Sequence, residues 1–302
     1  MLERDGNYPP AAELRDELDA IAAAPREEFV PYAGSPLRAG VGAPDTVPTM
    51  DLGLADRVYV LTGASRGLGY ATAQALVADG ARVVISSRDA GHVRSAAESL
   101  GGADNAVGVA ADLADPETPS ELVDSAMRRF GRLDGALISV GGPARGTAAS
   151  MTDDQWRAAF ETVFLGSVRA ARTFAAALGD GGAVGLVLST SARAPVGGLG
   201  LSNGLRPGLA MVAKDMADEY GPRGVRIVSL LPGRLLTDRN RELFAATGDA
   251  AAAAAEAAGA IPLGRLGEPA EFGRVAAFLL SPAASYLTGI AVPVDGGSLR
   301  SV

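Results

Sequence analysis

The fold is decided by the stretch Thr62-Gly63-Ala64-Ser65-Arg66-Gly67-Leu68-Gly69. It follows a short apolar run at residues 57–61 and leads into a helical pattern at residues 69–79. In a strand–loop–helix unit, Gly63 permits the tight turn, Gly67 lets the backbone approach a diphosphate, and Gly69 permits close packing of the helix. Free N–H groups at the start of a helix bind anions, so the loop is predicted to hold a nucleotide. The residues assigned to this loop are Gly63, Ser65, Arg66, Gly67, Leu68 and Gly69.

On either side of this loop the chain alternates between strand-length apolar runs and helical patterns. The runs lie at residues 57–61, 82–86, 106–110, 135–140, 183–188, 225–231 and 290–294. The helical patterns lie at residues 69–79, 119–130, 152–178, 204–220 and 269–280. Such alternation predicts a parallel sheet covered on both faces, and right-handed crossovers make the sheet doubly wound. We therefore predict an α/β protein with a Rossmann-type, doubly wound parallel sheet in three α/β/α layers over residues 55–302.

Two segments do not fit this alternation. Residues 1–54 contain seven prolines and one short helical pattern at residues 11–24, which predicts an appended arm and not a domain. The arm either packs on the main body or on a neighbouring subunit, or is partly mobile. The second segment is an insertion at about residues 236–261, whose alanine run at residues 250–255 predicts a helix.

The composition excludes several classes of function. The 302 residues include no cysteine, one histidine (His92) and one lysine (Lys214), so no metal site is expected. The net charge of −8 opposes a nucleic-acid partner. No apolar run approaches the length of a membrane span, and the charged N-terminus does not read as a signal peptide. We therefore expect a cytoplasmic protein that acts on a small molecule.

The loop TGASRGLG resembles the cofactor loop of the short-chain dehydrogenase/reductase superfamily. The resemblance continues to the end of the chain, through the segment at residues 261–269 and Asp295-Gly296-Gly297. It implies that Asp112 and Leu113 contact adenine. It also implies a homodimer or homotetramer built on the helices at residues 152–178 and 204–220. The other positions that the resemblance assigns to the cofactor site are Gly141, Gly142, Pro232, Gly233 and Thr237.

The end of the second strand indicates the choice of cofactor. An acidic residue there would bind the ribose 2′-hydroxyl of NAD, whereas arginine accommodates a 2′-phosphate. The chain has Ser86-Ser87-Arg88 at this point, and Arg66 in the glycine loop is a second cation. Ser87, Arg88 and Arg66 therefore favour NADP(H).

The family's catalytic residues are Ser, Tyr, Lys and Asn, and the resemblance departs from this pattern. Ser189 lies 13 residues before Ser202, which is the family's spacing between Ser and Tyr. Ser202 and Arg206 then stand in place of the Tyr and Lys of Y-x-x-x-K, and Val163 stands in place of the Asn. The chain thus resembles a divergent branch with S-N-x-x-R at these positions.

These replacements change the chemistry that is expected. A serine hydroxyl is a much weaker acid than tyrosine, and arginine is a permanent charge that does not relay a proton. Hydride addition to the β-carbon of an enone gives an enolate, which Ser189, Ser202 and Arg206 can stabilise. We therefore predict an atypical NADPH-dependent reductase of secondary metabolism that acts on a conjugated C=C or an activated carbonyl. The alternatives are a non-redox enzyme on the same fold (a cyclase, dehydratase or isomerase) and an NADP(H)-binding pseudoenzyme.

A lid is expected over this site. The resemblance places the insertion at about residues 236–261 at the family's substrate loop. Its Phe244 and alanines suggest an apolar surface, which points to a hydrophobic substrate.

Overall fold

The computed structural model describes residues 51–301. The helix predicted at residues 11–24 lies outside the described residues. Leu54, the last residue of the predicted extension, is buried in the core of the main body. The body therefore begins at or before this residue.

The sheet has seven parallel strands in the order β3-β2-β1-β4-β5-β6-β7. The strands are β1 Val58–Leu61, β2 Arg82–Ser87, β3 Ala106–Ala110, β4 Gly135–Ile138, β5 Ala183–Val187, β6 Arg226–Pro232 and β7 Ile290–Val294. The strand order reverses direction between β1 and β4, which in doubly wound sheets opens a crevice at the carboxyl ends of the strands. The predicted fold class is confirmed.

Nine α-helices accompany the sheet in the described part of the chain. They are α1 Gly67–Ala78, α2 Ala90–Ser99, α3 Thr118–Phe130, α4 Asp153–Ala159, α5 Gly166–Ala177, α6 Gly200–Tyr220, α7 Asp238–Ala245, α8 Ala250–Gly259 and α9 Pro269–Leu280. None of the helices within residues 51–301 is long and apolar enough to cross a membrane.

The core lies on both faces of the sheet. One buried cluster packs Leu122 of α3, Phe174 of α5 and Leu209 of α6 against the strands. The other packs Leu76 of α1, Val93 of α2 and Phe272 of α9 against the opposite face. The strands are mostly apolar because both faces of the sheet are covered, as expected for a parallel sheet.

The pattern at residues 152–178 is not one regular helix. A π-helical segment, Phe160–Leu165, separates α4 from α5. Two aromatic rings pack against glycines of α6. A Cβ on Gly204 would lie 2.7 Å from the ring of Trp156, and a Cβ on Gly208 would lie 2.9 Å from the ring of Phe164. Because these glycines are four residues apart, they lie on one face of α6, and the two rings pack against that face. The opposite face of the helix packs on the sheet.

Candidate active site

The glycine loop is fixed to the neighbouring strand at the crevice. The Thr62 hydroxyl donates to the carbonyl of Ser139 at 2.9 Å, and the Ser139 N–H donates to the Thr62 oxygen at 2.9 Å. Gly63 has a φ of +57°, and a Cβ there would overlap the same Ser139 carbonyl. The turn at this position therefore requires glycine.

The start of α1 is open to an anion. Arg66, the residue before the helix, has an extended backbone, and no side chain in the described part of the protein caps the first turn. The first turn also holds no acidic residue. The backbone N–H groups of Gly67 and Leu68 and the positive end of the helix dipole therefore remain uncompensated there, next to the half-buried Ser65.

At the carboxyl end of β2, Ser87 and Arg88 are followed by one acid, Asp89, which caps the next helix. Ser87 donates its hydroxyl to the carbonyl of Asp89 at 3.1 Å. Asp89 caps α2 by accepting from the N–H of His92 at 2.7 Å, and this hydrogen bond lowers the pKa of the Asp89 carboxyl. Arg66 and Arg88 are exposed, and neither forms an ion pair within residues 51–301.

The residues after β3 lie at the same edge. Asp112 is exposed, and its carboxylate accepts from the N–H of Ala114 at 3.1 Å. Its carbonyl accepts from the hydroxyl of Thr118 at 2.7 Å. Leu113 is buried against the core. The loop is therefore held in place while one carboxylate oxygen of Asp112 keeps its acceptor capacity.

The turn after β4 is covered by a side chain that the sequence analysis did not single out. Gly141 and Gly142 are exposed, and a Cβ on Gly142 would overlap the guanidinium of Arg239. Arg239 also donates to the carbonyl of Pro143 at 3.2 Å. The only sequence signal was its position in the insertion, two residues after Thr237.

The segment after β6 crosses the crevice. The N–H of Gly233 donates to the carbonyl of Val294 at 3.0 Å, so Pro232 and Gly233 lead out of the sheet beside β7. Thr237 is the residue before α7, and its methyl carbon lies 3.9 Å from the position of a Cβ on Gly67. Thr237 thus reaches the glycine loop.

Three serines meet near the carboxyl end of β5. Ser191 and Ser202 are both buried, and their hydroxyl oxygens are 2.8 Å apart. Ser189 is half-buried, and its oxygen accepts from the N–H of Ser191 at 3.1 Å. Ser189 therefore keeps its hydroxyl proton for another acceptor. Ser191 was not predicted, although it lies in the same Ser-Thr-Ser run as Ser189.

Arg206 is the most unusual residue of the site. It lies one helical turn after Ser202 on α6 and is only 4% exposed. It donates to the carbonyl of Val187 at 2.7 Å, but its Nε is the one buried side-chain polar atom without a partner in the described residues. No carboxylate within residues 51–301 pairs with it, and burial lowers the pKa of its guanidinium to about 10.

A buried cation in this state is energetically costly. An unpartnered buried donor alone costs about 1–3 kcal/mol, and an uncompensated charge costs more. The guanidinium still carries its charge near neutral pH because its pKa remains about 10. The site can therefore stabilise negative charge that develops beside Arg206.

Lys214, Val163 and Tyr220 make none of the described hydrogen bonds to the serines or to Arg206. Lys214, the single lysine, is half-exposed on α6 and pairs with Asp218. Val163 is buried in the π-helical segment. Tyr220 donates to the carbonyl of Arg172 at 3.5 Å, and no tyrosine within residues 51–301 bonds Ser189, Ser202 or Arg206.

The insertion has a small core of its own. It forms α7 and α8, and Ala257, Ile261 and Leu266 are buried together between them and the following loop. Phe244 packs against this cluster. Part of the apolar surface that suggested a hydrophobic substrate therefore stabilises the insertion itself.

Comparisons with known proteins agree with this geometry. Residues 63–298 match the family model described as enoyl-(acyl carrier protein) reductase. An uncharacterized oxidoreductase of Mycobacterium tuberculosis (strain CDC 1551 / Oshkosh) is 36% identical over 249 residues, covering 81% of this chain and 92% of that protein.

Two solved structures share the fold and somewhat under a third of the aligned sequence. L-Sorbose reductase from Gluconobacter frateurii, complexed with NADPH and L-sorbose, has a TM-score of 0.78 and 29% identity, covering 84% of this chain and 100% of that chain. A short-chain oxidoreductase from Pseudomonas aeruginosa PAO1 that contains an atypical catalytic center has a TM-score of 0.77 and 30% identity, covering 82% and 99%. With a family match over most of its length, this chain belongs to the short-chain dehydrogenase/reductase superfamily.

Proposed function

We propose that the protein is an NADPH-dependent reductase of small-molecule, secondary metabolism that reduces a conjugated C=C or an already activated carbonyl. The observation that carries this proposal is Arg206, a buried guanidinium beside the serines at the carboxyl edge of β5 that pairs with no carboxylate within residues 51–301. A permanent cation suits a reaction in which negative charge develops on a substrate oxygen.

The residues present fit the cofactor. The uncapped start of α1 would bind the diphosphate, and Arg66 and Arg88 would bind a 2′-phosphate. L-Sorbose reductase, a structural relative, was solved with NADPH, which supports the same choice here. When bound, NADPH supplies a hydride. Arg206, whose Nε has no partner within residues 51–301, would bind ribose hydroxyls.

In an enone, hydride addition at the β-carbon moves negative charge onto the carbonyl oxygen. The hydroxyl of Ser189 donates to that oxygen, since its own oxygen already accepts from Ser191. Arg206 stabilises the enolate electrostatically. The α-carbon then takes a proton from solvent, so that one hydride and one proton complete the reduction.

The proton donors of the site favour this reaction over reduction of an ordinary ketone. The hydroxyl of Ser202 bonds that of Ser191, and a serine is a far weaker acid than a phenol. Arg206 holds its proton near neutral pH. The description of the matching family model names reduction of a C=C, which supports the same class of substrate.

We further propose a homodimer or homotetramer built on the segment from α4 to α5 and on α6. Two of the large apolar side chains that are exposed on the described body lie there. They are Phe160 at 46% exposure and Met211 at 71% exposure.

The test of the function combines binding and turnover. Native mass spectrometry of the purified protein should show retained or added NADP(H), and NADPH oxidation should accompany reduction of a simple enone such as cyclohexenone faster than that of the saturated ketone. Failure to bind NADP(H) at micromolar concentration would refute the proposal. Enone conversion without NADPH oxidation would assign a non-redox enzyme, and binding without turnover over an enone panel would assign a pseudoenzyme.

A further inference from the structure

The first residues of the insertion make two contacts on opposite sides of the crevice. On one side, Thr237 lies against Gly67 at the start of α1. On the other side, Arg239 lies over Gly142 and donates to the carbonyl of Pro143. A segment of three residues therefore spans from the loop after β1 to the turn after β4.

The position of this segment is set by the sheet. β1 and β4 are neighbours, and the strand order reverses between them. In doubly wound folds the diphosphate of a dinucleotide lies at this reversal, against the start of the first helix. Residues 237–239 thus lie across the place that the diphosphate would occupy.

The charge of this segment is suited to an anion. Arg239 is exposed and pairs with no carboxylate within residues 51–301. The carboxylate of its neighbour Asp238 lies 3.6 Å from the guanidinium of Arg241, so that carboxylate is paired with Arg241 and leaves Arg239 to a ligand. A guanidinium has five N–H donors, so the bond to Pro143 leaves most of them for a ligand.

We propose that Arg239 binds the diphosphate of NADP(H) and fastens the start of the insertion across the bound cofactor. This inference rests on the proposed function. Arginine binds phosphate oxygens through two parallel, charge-assisted hydrogen bonds, and the contact with Gly142 places the guanidinium beside the crevice before any ligand arrives. The diphosphate is then held between the N–H groups of α1 and this side chain.

The experiment compares two ligands and two arginines. NADPH contains the diphosphate, whereas adenosine 2′-monophosphate carries the adenosine and the 2′-phosphate without it. Affinities for both are measured by titration for wild type, Arg239→Ala and Arg241→Ala. The second variant is the control, since Arg241 lies on the same helix, is exposed and carries the same charge.

Arg239→Ala should bind NADPH about tenfold more weakly or worse, as expected for a lost hydrogen bond to a charged group, with unchanged affinity for adenosine 2′-monophosphate. Arg241→Ala should match wild type for both ligands. Equal NADPH affinity in Arg239→Ala and wild type would overturn the inference and leave the proposed function intact. An equal loss for both ligands, or an equal loss in both variants, would also overturn it. A wild type that binds no NADPH would instead refute the proposed function.

Discussion

At the scale of single residues, the candidate site is distinguished by Arg206, a buried charge that no carboxylate within residues 51–301 neutralises. Under the proposed function, Arg206 supplies a permanent cation at this position and relays no proton. Only one bond of its guanidinium, to Val187, is made within the described chain. The protein therefore tolerates a destabilising residue where a ligand can compensate it, which is common at functional sites.

Replacing Arg206 by methionine should separate stability from function. Burial lowers the pKa below the usual value for arginine, so folding disfavours the charged form, and this penalty is fully present at any pH below about 10. Arg206→Met should raise the free energy of unfolding in urea at pH 7 by about 1–4 kcal/mol, the range for replacing buried charges with apolar side chains. Turnover or NADPH affinity should fall strongly in the same variant. A less stable variant would show instead that the guanidinium supports the fold.

Substitutions of Ser189 and Ser191 should have different effects on kcat. Ser189→Ala removes a hydroxyl whose proton is available to a substrate oxygen, and loss of one such donor lowers kcat by about 10²–10³-fold. Ser191→Ala removes only the partner of Ser202 and should change kcat much less. Steady-state kinetics with one enone measures both. A larger loss in Ser191→Ala would reverse the roles of the two residues.

Residue-level prediction from sequence succeeded for local geometry and missed contacts between distant segments. The glycine turn at Gly63 is readable because its backbone requirement is local. The bond between Ser191 and Ser202 depends on how the loop after β5 folds back onto α6. The position of Arg239 over Gly142 depends on how the segments after β6 and β4 meet. No periodicity or spacing along the chain encodes such contacts.

At the scale of elements, the two faces of α6 make different contacts. Gly204 and Gly208 receive the rings of Trp156 and Phe164, while Ser202 and Arg206 lie buried in the site. The aromatic packing fixes the helix that carries the proposed catalytic residues.

Gly204→Ala should destabilise the protein although alanine is the better helix former. The added Cβ would lie 2.7 Å from a ring carbon of Trp156. Overpacking of this kind costs about 1–3 kcal/mol, which exceeds the gain of roughly 1 kcal/mol in helix propensity. Gly259→Ala at the end of α8 is the control, since no atom lies within 4 Å of its added Cβ. Urea unfolding should show a loss only for Gly204→Ala, and equal stability of the two variants would contradict this packing.

The loop before α9 is held by an ion pair with a distinct pH dependence. Arg265 makes two bonds to Glu271, at 2.6 and 2.8 Å, and lowers the pKa of that carboxyl to about 2. The pair therefore adds stability above about pH 4.5 that is lost as the pH falls toward 2. Glu271→Gln should have a lower Tm than wild type at pH 7, and this difference should shrink as the pH falls and be smallest at about pH 2. A difference in Tm that does not change with pH would show that charge is not involved.

At the scale of the whole molecule, alternation of strands and helices was sufficient to predict the sheet. Buried parallel strands are apolar throughout, so their runs are distinct from the helices between them. The predicted bounds of the strands differ from the observed ones by no more than two residues, and those at residues 106–110 and 290–294 coincide with β3 and β7. The π-helical segment Phe160–Leu165 was not predicted, since the apolar pattern at residues 152–178 was interpreted as one helix.

The exposed apolar side chains predict which surface forms the interface of the proposed oligomer. Met211 projects from α6 with 71% exposure, on the helix that also carries Ser202 and Arg206. If the proposed oligomer forms through α6, Met211→Glu should place a charge in the interface and yield a smaller species in light scattering coupled to size-exclusion chromatography. Met127→Glu on α3, where the methionine is 48% exposed, changes the same residue type away from that helix and should leave the mass unchanged. A monomeric wild type, or equal masses for wild type and Met211→Glu, would contradict an interface through α6.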